Sequence, residues 1–203
     1  MSRRAVIIAA VAMVVAFALD GWAYAHVTDA RVYDRDWGRL LRILGFWPTW
    51  IVAAGALWLQ ERGIAGLAKQ RALLLVGAPA LAGIAAEVLK LVFRRLRPLA
   101  SDGEYAFRSF TEGPLSTRGL AFPSSHTMVA FGAAAILTYL FPRAKWVWFS
   151  LAAGCALTRV LARAHYLSDV VAGAIAAIAT TAWLISKVRG PTVSVTPEFP
   201  RAA

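Results

Sequence analysis

The chain has 203 residues, of which 59% are hydrophobic and only 16% charged, and a formal net charge of +11. Soluble domains carry about 25% charged residues, so the composition argues against a water-soluble fold and for a single all-α integral membrane domain. The basic residues are scattered over short segments and form no continuous stripe, which argues against nucleic acid as partner and leaves membrane topology and an anionic substrate to explain them.

Six apolar segments follow one another, at roughly 5–19, 43–59, 72–93, 127–141, 146–162 and 170–185. A six-transmembrane-helix bundle is expected over 1–189, although several segments fall short of the roughly 20 residues that cross a hydrocarbon core. Flanking residues must then complete the crossing. Trp47, Trp50, Trp58, Trp146, Trp148 and Trp183 stand near segment ends, as interfacial anchors do.

The first segment follows Arg3-Arg4 and precedes Ala23-Tyr24-Ala25, a pattern that also fits a cleavable signal peptide. The apolar stretch is long for a signal, and Asp20-Gly21-Trp22 is an awkward approach to a cleavage site, so a retained helix is expected. His26 has no polar neighbour in sequence and reads as an exposed loop residue. Between the first two segments, Trp37, Leu40, Leu41 and Leu44 recur at helical spacing among Asp36, Arg39 and Arg42. That pattern predicts a short helix lying in the interface.

The stretch 94–122, rich in Gly, Ser and charge, is the largest loop and is expected to overhang a site. Cys155, the single cysteine, excludes an internal disulfide. The tail 190–203, with Pro191, Pro197 and Pro200, is expected to be disordered. With Arg3-Arg4 cytoplasmic, the inside segments carry many Lys and Arg but only Glu61 and Glu198 as acids, which suits the positive-inside rule. The opposite side is comparably basic, yet many of its cations fall in three polar clusters.

The first cluster is Lys90 with Arg97-Pro98. Seven residues are two helical turns, so a helix running that far would put both cations on one face about 10 Å apart, and Pro98 would help end it. Snorkelling of Lys90, Arg94, Arg95 and Arg97 to headgroups is the competing reading. Glu87, one turn before Lys90, is expected to pair with it.

The second cluster, Pro123-Ser124-Ser125-His126, directly precedes an apolar helix that Ser124 or Ser125 can cap. A helix N-terminus with free amides and hydroxyls is a ready anion site, and His126 at its edge could donate a proton. The third, Arg159, His165 and Asp169, spans the turn between the last two segments, where Ser168 can cap the helix. A carboxylate on one ring nitrogen of His165 would set the tautomer and make the other a better nucleophile. The competing reading is a structural ion pair of Asp169 with Arg159 or Arg163. Small residues at Gly132, Gly173 and Ala177 read as close helix packing.

In this order the clusters resemble the type 2 phosphatidic acid phosphatase superfamily, whose signature is KxxxxxxRP, PSGH and SRxxxxxHxxxD, matched at 90–98, 123–126 and 158–169. Ser125 stands where the family has glycine, and Thr158 where it has serine. The resemblance implies that His165 attacks phosphorus to form a phosphohistidine, Asp169 orients it, and His126 protonates the departing oxygen. Lys90, Arg97, Ser124, Ser125 and Arg159 would hold the phosphoryl oxygens, with no metal and no cofactor required. The expected function is hydrolysis of a lipid phosphate or diphosphate at the periplasmic face of a bacterial inner membrane. Undecaprenyl diphosphate, phosphatidic acid, phosphatidylglycerol phosphate and lipid A phosphates are all candidates, with the first preferred. Lipid phosphotransfer and non-catalytic lipid-phosphate binding or transport stand as alternatives.

Overall fold

A computed structural model describes residues 2–61 and 66–188, and these residues form helices with no β-strand among them. The expected disorder of 190–203 lies outside the described residues. Seven α-helices follow in order: α1 Arg3–His26, α2 Asp36–Ile43, α3 Trp47–Gln60, α4 Leu67–Phe93, α5 Ser125–Leu140, α6 Lys145–Leu161 and α7 Leu167–Val188. Long apolar stretches become helices because only a helix satisfies every backbone N–H and C=O within its own segment when no water is present.

By length and apolarity alone α1, α4 and α7 can cross a membrane. At 24, 27 and 22 residues they are about 33–40 Å long. The bent pair α2 and α3, which meet at 72°, can count as a fourth crossing. Helices α5 and α6, with 16 and 17 residues, reach only about 25 Å.

Helix α5 is the centre of the bundle, packed on α4, α6 and α7, while α1 leans on α7 and α3 on α4. Small residues permit this. A Cβ on Gly132 of α5 would come 3.0 Å from Ala82 Cβ and 3.2 Å from the Ala78 carbonyl of α4. One on Gly173 of α7 would sit 3.1 Å from the Ser124 carbonyl. Without a hydrophobic force between helices in lipid, such close backbone approach supplies the van der Waals contact that holds them. Ala177 is wholly buried in the same way.

The helix expected between the first two segments is α2. Its Leu41 rests on Gly154 of α6, where a Cβ would meet Leu41 Cδ2 at 2.9 Å, while Trp37, Leu40 and Ile43 stay exposed. Not every tryptophan is an anchor. Trp50 is buried in the core and donates to the Leu44 carbonyl at 2.9 Å, because α3 turns inward after the bend. Trp146 and Trp183 are exposed, as anchors require. His26 is the last residue of α1 and no loop residue: its Nδ1 lies 3.0 Å from the Trp22 carbonyl, and its ring stacks on Trp22.

The long loop is organised by one side chain. Arg94 ends α4 in left-handed backbone geometry and is 1% exposed. Its guanidinium donates to the carbonyls of Arg108, Ser109, Glu112 and Pro114. A planar fork with five donors is suited to collecting carbonyls this way. The competing reading, in which Arg94 snorkels to headgroups, therefore fails: the loop offers its charge better partners.

Candidate active site

The three clusters converge beside the N-terminus of α5. Lys90 lies in the last turn of α4, 5% exposed. Its Nζ donates to Glu87 Oε1 at 3.0 Å and also to Ser125 Oγ, and Ser125 in turn donates to the same carboxylate oxygen at 2.6 Å. The expected Glu87–Lys90 pair is present, and Ser125 completes it. An ammonium held this way keeps its charge at one place beside α5.

Arg97 does not continue the α4 face. The helix stops at Phe93, and Arg97 sits in extended backbone before Pro98, its amide donating to the Gly119 carbonyl at 3.2 Å. The two-turn spacing is thus broken by the left-handed Arg94, and the chain turns Arg97 back toward the site. Its Nε is buried without a hydrogen-bond partner, as is that of Arg159. Arg159, 5% exposed in the last turn of α6, donates from Nη1 to the Tyr33 hydroxyl at 2.6 Å.

Ser124 caps α5, its Oγ accepting the Thr127 amide at 3.5 Å, while its own amide donates to the Asp169 carbonyl at 3.1 Å. His126 follows in the first turn. Gly45, just after α2, lies so close that a Cβ there would fall 2.7 Å from both His126 Cβ and its carbonyl oxygen.

His165 is 3% exposed in the turn between α6 and α7. Its Nδ1 stands 3.5 Å from Asp169 Oδ2 and makes no hydrogen bond, so the ring is directed at the carboxylate without being tied to it. Burial pushes the imidazole well below its usual protonation range, and the nearby positive charges of Arg159, Arg97 and Lys90 add to this. An unprotonated ring in a cationic surround is what a nucleophile toward an anion needs. His126 and His165 are within electrostatic range of each other, with Arg159 and Lys90 close to both.

Asp169 is wholly buried, and its partner is neither Arg159 nor Arg163. Oδ1 accepts from Arg95 Nη1 at 3.2 Å, and Oδ2 accepts the Tyr166 amide at 2.8 Å, closing the start of α7. Arg163 donates instead to Thr28 Oγ1. Ser168 is no cap either: its amide and hydroxyl both donate to Asp20 of α1, at 2.8 and 2.5 Å. Arg95, 3% exposed, bridges the two carboxylates, with Nη2 3.1 Å from Asp20 Oδ2. The Tyr105 and Tyr166 rings lie 4.1 and 3.9 Å from its guanidinium carbon. Tyr105 also donates to Asp20 at 2.8 Å, and burial together with that carboxylate lifts its phenol to about 12.

Asp20, Arg95 and Tyr33 are therefore residues that sequence reasoning passes over. Asp20 had a readable signal, an acid near the end of a long apolar run, which calls for a buried partner. Arg95 had none that distinguished it from Arg94 and Arg97. Among the described residues no group of three or more His, Cys, Asp or Glu is arranged to hold a metal ion.

A family model described as PAP2 superfamily matches residues 71–191. The chain is also 34% identical over 93 residues, 45% of its length, to proteins named Lipid A 1-phosphatase from Rhizobium johnstonii and Rhizobium etli. The matched stretch spans only 37% and 39% of those relatives. No solved structure matches.

Proposed function

The chain belongs to the PAP2 superfamily, and on that premise we propose that it is an integral-membrane phosphatase that hydrolyses a lipid phosphate or diphosphate through a phosphohistidine. The observation that carries this reading is the arrangement around His165: Asp169 on the Nδ1 side, and Lys90, Arg97 and Arg159 near enough to charge the surrounding space.

With Nδ1 turned to Asp169, Nε2 of His165 attacks phosphorus and the bond to the lipid oxygen breaks. His126, protonated once the bound anionic substrate offsets the surrounding cations, gives that oxygen its proton, so the lipid leaves as a neutral alcohol, or as a phosphate if the substrate is a diphosphate. Water then attacks phosphorus as His126 takes its proton, and the N–P bond breaks, which returns His165 to neutral imidazole and His126 to its protonated form and releases phosphate. Lys90, Arg97 and Arg159 stabilise the charge on the equatorial oxygens, work that preorganised cations do without reorganising. The N-terminal amides of α5 beside Ser124 and Ser125 add to this. No step in this scheme calls on a metal.

Purified protein in detergent, given a panel of lipid phosphates with chelator present, should release phosphate. Loss of all release on chelation would overturn the metal-free scheme, and label appearing on a second lipid would make the protein a phosphotransferase. The names of the Rhizobium proteins add lipid A 1-phosphate to that panel, beside undecaprenyl diphosphate, phosphatidic acid and phosphatidylglycerol phosphate.

The reading also includes six crossings of a bacterial inner membrane, with α2 in the interface and the site facing the periplasm. Exposed Ile8, Val14, Val52 and Ile84 suit lipid contact. Tags inserted after Lys145 should report cytoplasm and tags near Asp102 periplasm; the reverse labelling would place the site on the cytoplasmic face.

Gly45 gives a further check. A methyl group there collides with backbone and Cβ of His126, so Gly45→Ala must displace either α2 or the acid. Misplacement by about 1 Å costs on the order of 100-fold in rate. Steady-state assays of Gly45→Ala should therefore show turnover slowed by roughly one to two orders of magnitude.

A further inference from the structure

Helix α2 brings one more cation to the site, and no step of the proposed reaction uses it. Arg42 is exposed in the last turn of α2 and forms no ion pair with any described residue. Its guanidinium carbon lies 4.7 Å from the centre of the Tyr33 ring, and the guanidinium of Arg159 lies 5.7 Å from the same centre. Two like charges therefore share one tyrosine, and the Tyr33 hydroxyl is already engaged by Arg159 at 2.6 Å.

Like charges on one ring repel, and among the described residues neither guanidinium forms an ion pair with a carboxylate. The C-terminal end of α2 and the face of Tyr33 each favour a cation, but neither cancels the repulsion between two. An anion bound between them would.

The position of Arg42 indicates which anion. The Gly45 amide donates to the Arg42 carbonyl at 3.0 Å, and Gly45 is the residue pressed against His126. Cys155 Sγ lies 3.9 Å from the Arg42 carbonyl and 4.0 Å from that of His126. Arg42 thus stands on the His126 side of the site, within electrostatic range of that ring, whereas the charges acting on His165 are those of Arg159, Arg97 and Lys90. In the proposed reaction, His126 attends the departing oxygen.

We propose that Arg42, with Arg159, forms a second anion subsite for a phosphate carried by the leaving group, so that the preferred substrate is a lipid diphosphate over the corresponding monophosphate. This rests on the phosphatase reading and narrows its substrate class. His165 takes the terminal phosphoryl group, His126 protonates the bridging oxygen, and Arg42 neutralises the charge that builds on the lipid phosphate as it departs. Arginine suits that role, because its fork can meet two phosphate oxygens at once.

The test compares farnesyl diphosphate with farnesyl monophosphate, which share one tail, on the full chain in detergent. Wild-type protein should prefer the diphosphate in kcat/KM. Arg42→Gln should lower that preference about tenfold, and Arg42→Lys should recover part of it. A ratio that moves less than twofold, or a wild-type preference for the monophosphate, overturns the subsite. If Arg42→Gln does not fold, wild-type protein decides: inorganic pyrophosphate should inhibit at a concentration at least tenfold lower than phosphate, and equal potency overturns the proposal.

Binding separates the two readings. In His165→Ala, farnesyl diphosphate should bind more tightly than the monophosphate, and the added Arg42→Gln should erase the difference. That result sustains the subsite even if wild-type protein hydrolyses neither lipid, which would end the phosphatase reading alone. Hydrolysis of both lipids with a ratio indifferent to Arg42 would end the subsite alone.

Discussion

Arg95→Met is expected to unfold the protein more readily than any exchange in the phosphate cradle. Asp20 and Asp169 are 1% and 0% exposed, and Arg95 donates to both while lying against two tyrosine rings. Methionine fills much of the volume but leaves two buried carboxylates without their cation. Removing one partner of a buried ion pair costs about 3–5 kcal/mol, and here two acids are stranded by one change. The loss should also reach the chemistry, because Asp169 positions His165. Thermal unfolding in detergent checks the first point. Arg95→Met combined with Asp20→Asn should regain part of the lost stability, since one stranded charge is removed; a double variant no better than the single would show that the stacking on Tyr105 and Tyr166 matters more than the charge.

His165→Ala is expected to lower kcat by at least about a thousandfold, because the covalent step loses its nucleophile and the remaining groups only hold the phosphate. Lipid-phosphate binding should survive. A trapped, acid-labile phosphoprotein in the native chain and none in His165→Ala would identify the intermediate; equal labelling in both would remove His165 from the role. The same variant has a signature in stability. Burial lowers the folded-state pKa of His165 below the unfolded value of about 6.5. The unfolded chain then binds a proton that the folded chain refuses, so stability is present above that value and falls as the pH drops through and below it. In His165→Ala this part of the acid-side decline should vanish, which unfolding midpoints measured from neutral pH downward can read.

Much of the architecture was legible because lipid permits so few backbone solutions. Each of the six apolar segments contains or underlies a helix, and the amphipathic stretch after Asp36 is one too. What the pattern missed were helix ends. Helix α1 runs to His26, well past the last apolar residue of its segment, because Asp20 is stabilised by partners on α7 and in the loop. Helix α4 stops at Phe93 because Arg94 finds four carbonyls by leaving the helix. The expectation that Lys90 and Arg97 share a helical face fails for that reason, yet both still reach the surroundings of His165.

The candidate site divides in the same way. Which residue types were present, and in what order, was readable from the chain: two imidazoles, one carboxylate and three cations at the ends of apolar runs, where a charge needs a reason to exist. Which acid pairs with which base was not. Four arginines near the third segment and the last turn were interchangeable as letters, and only folding assigned Arg94 to the loop, Arg95 to two carboxylates, Arg97 to the neighbourhood of His165 and Arg163 to Thr28. The physical reason is that charge and hydropathy are local properties of a residue, whereas the partner of a buried ion is set by whichever helix the packing of small residues brings against it. Asp20 and Arg42, the first needed to hold the site and the second proposed to select its substrate, lie outside all three clusters in sequence, Asp20 148 residues before Ser168, and join the site only through that packing.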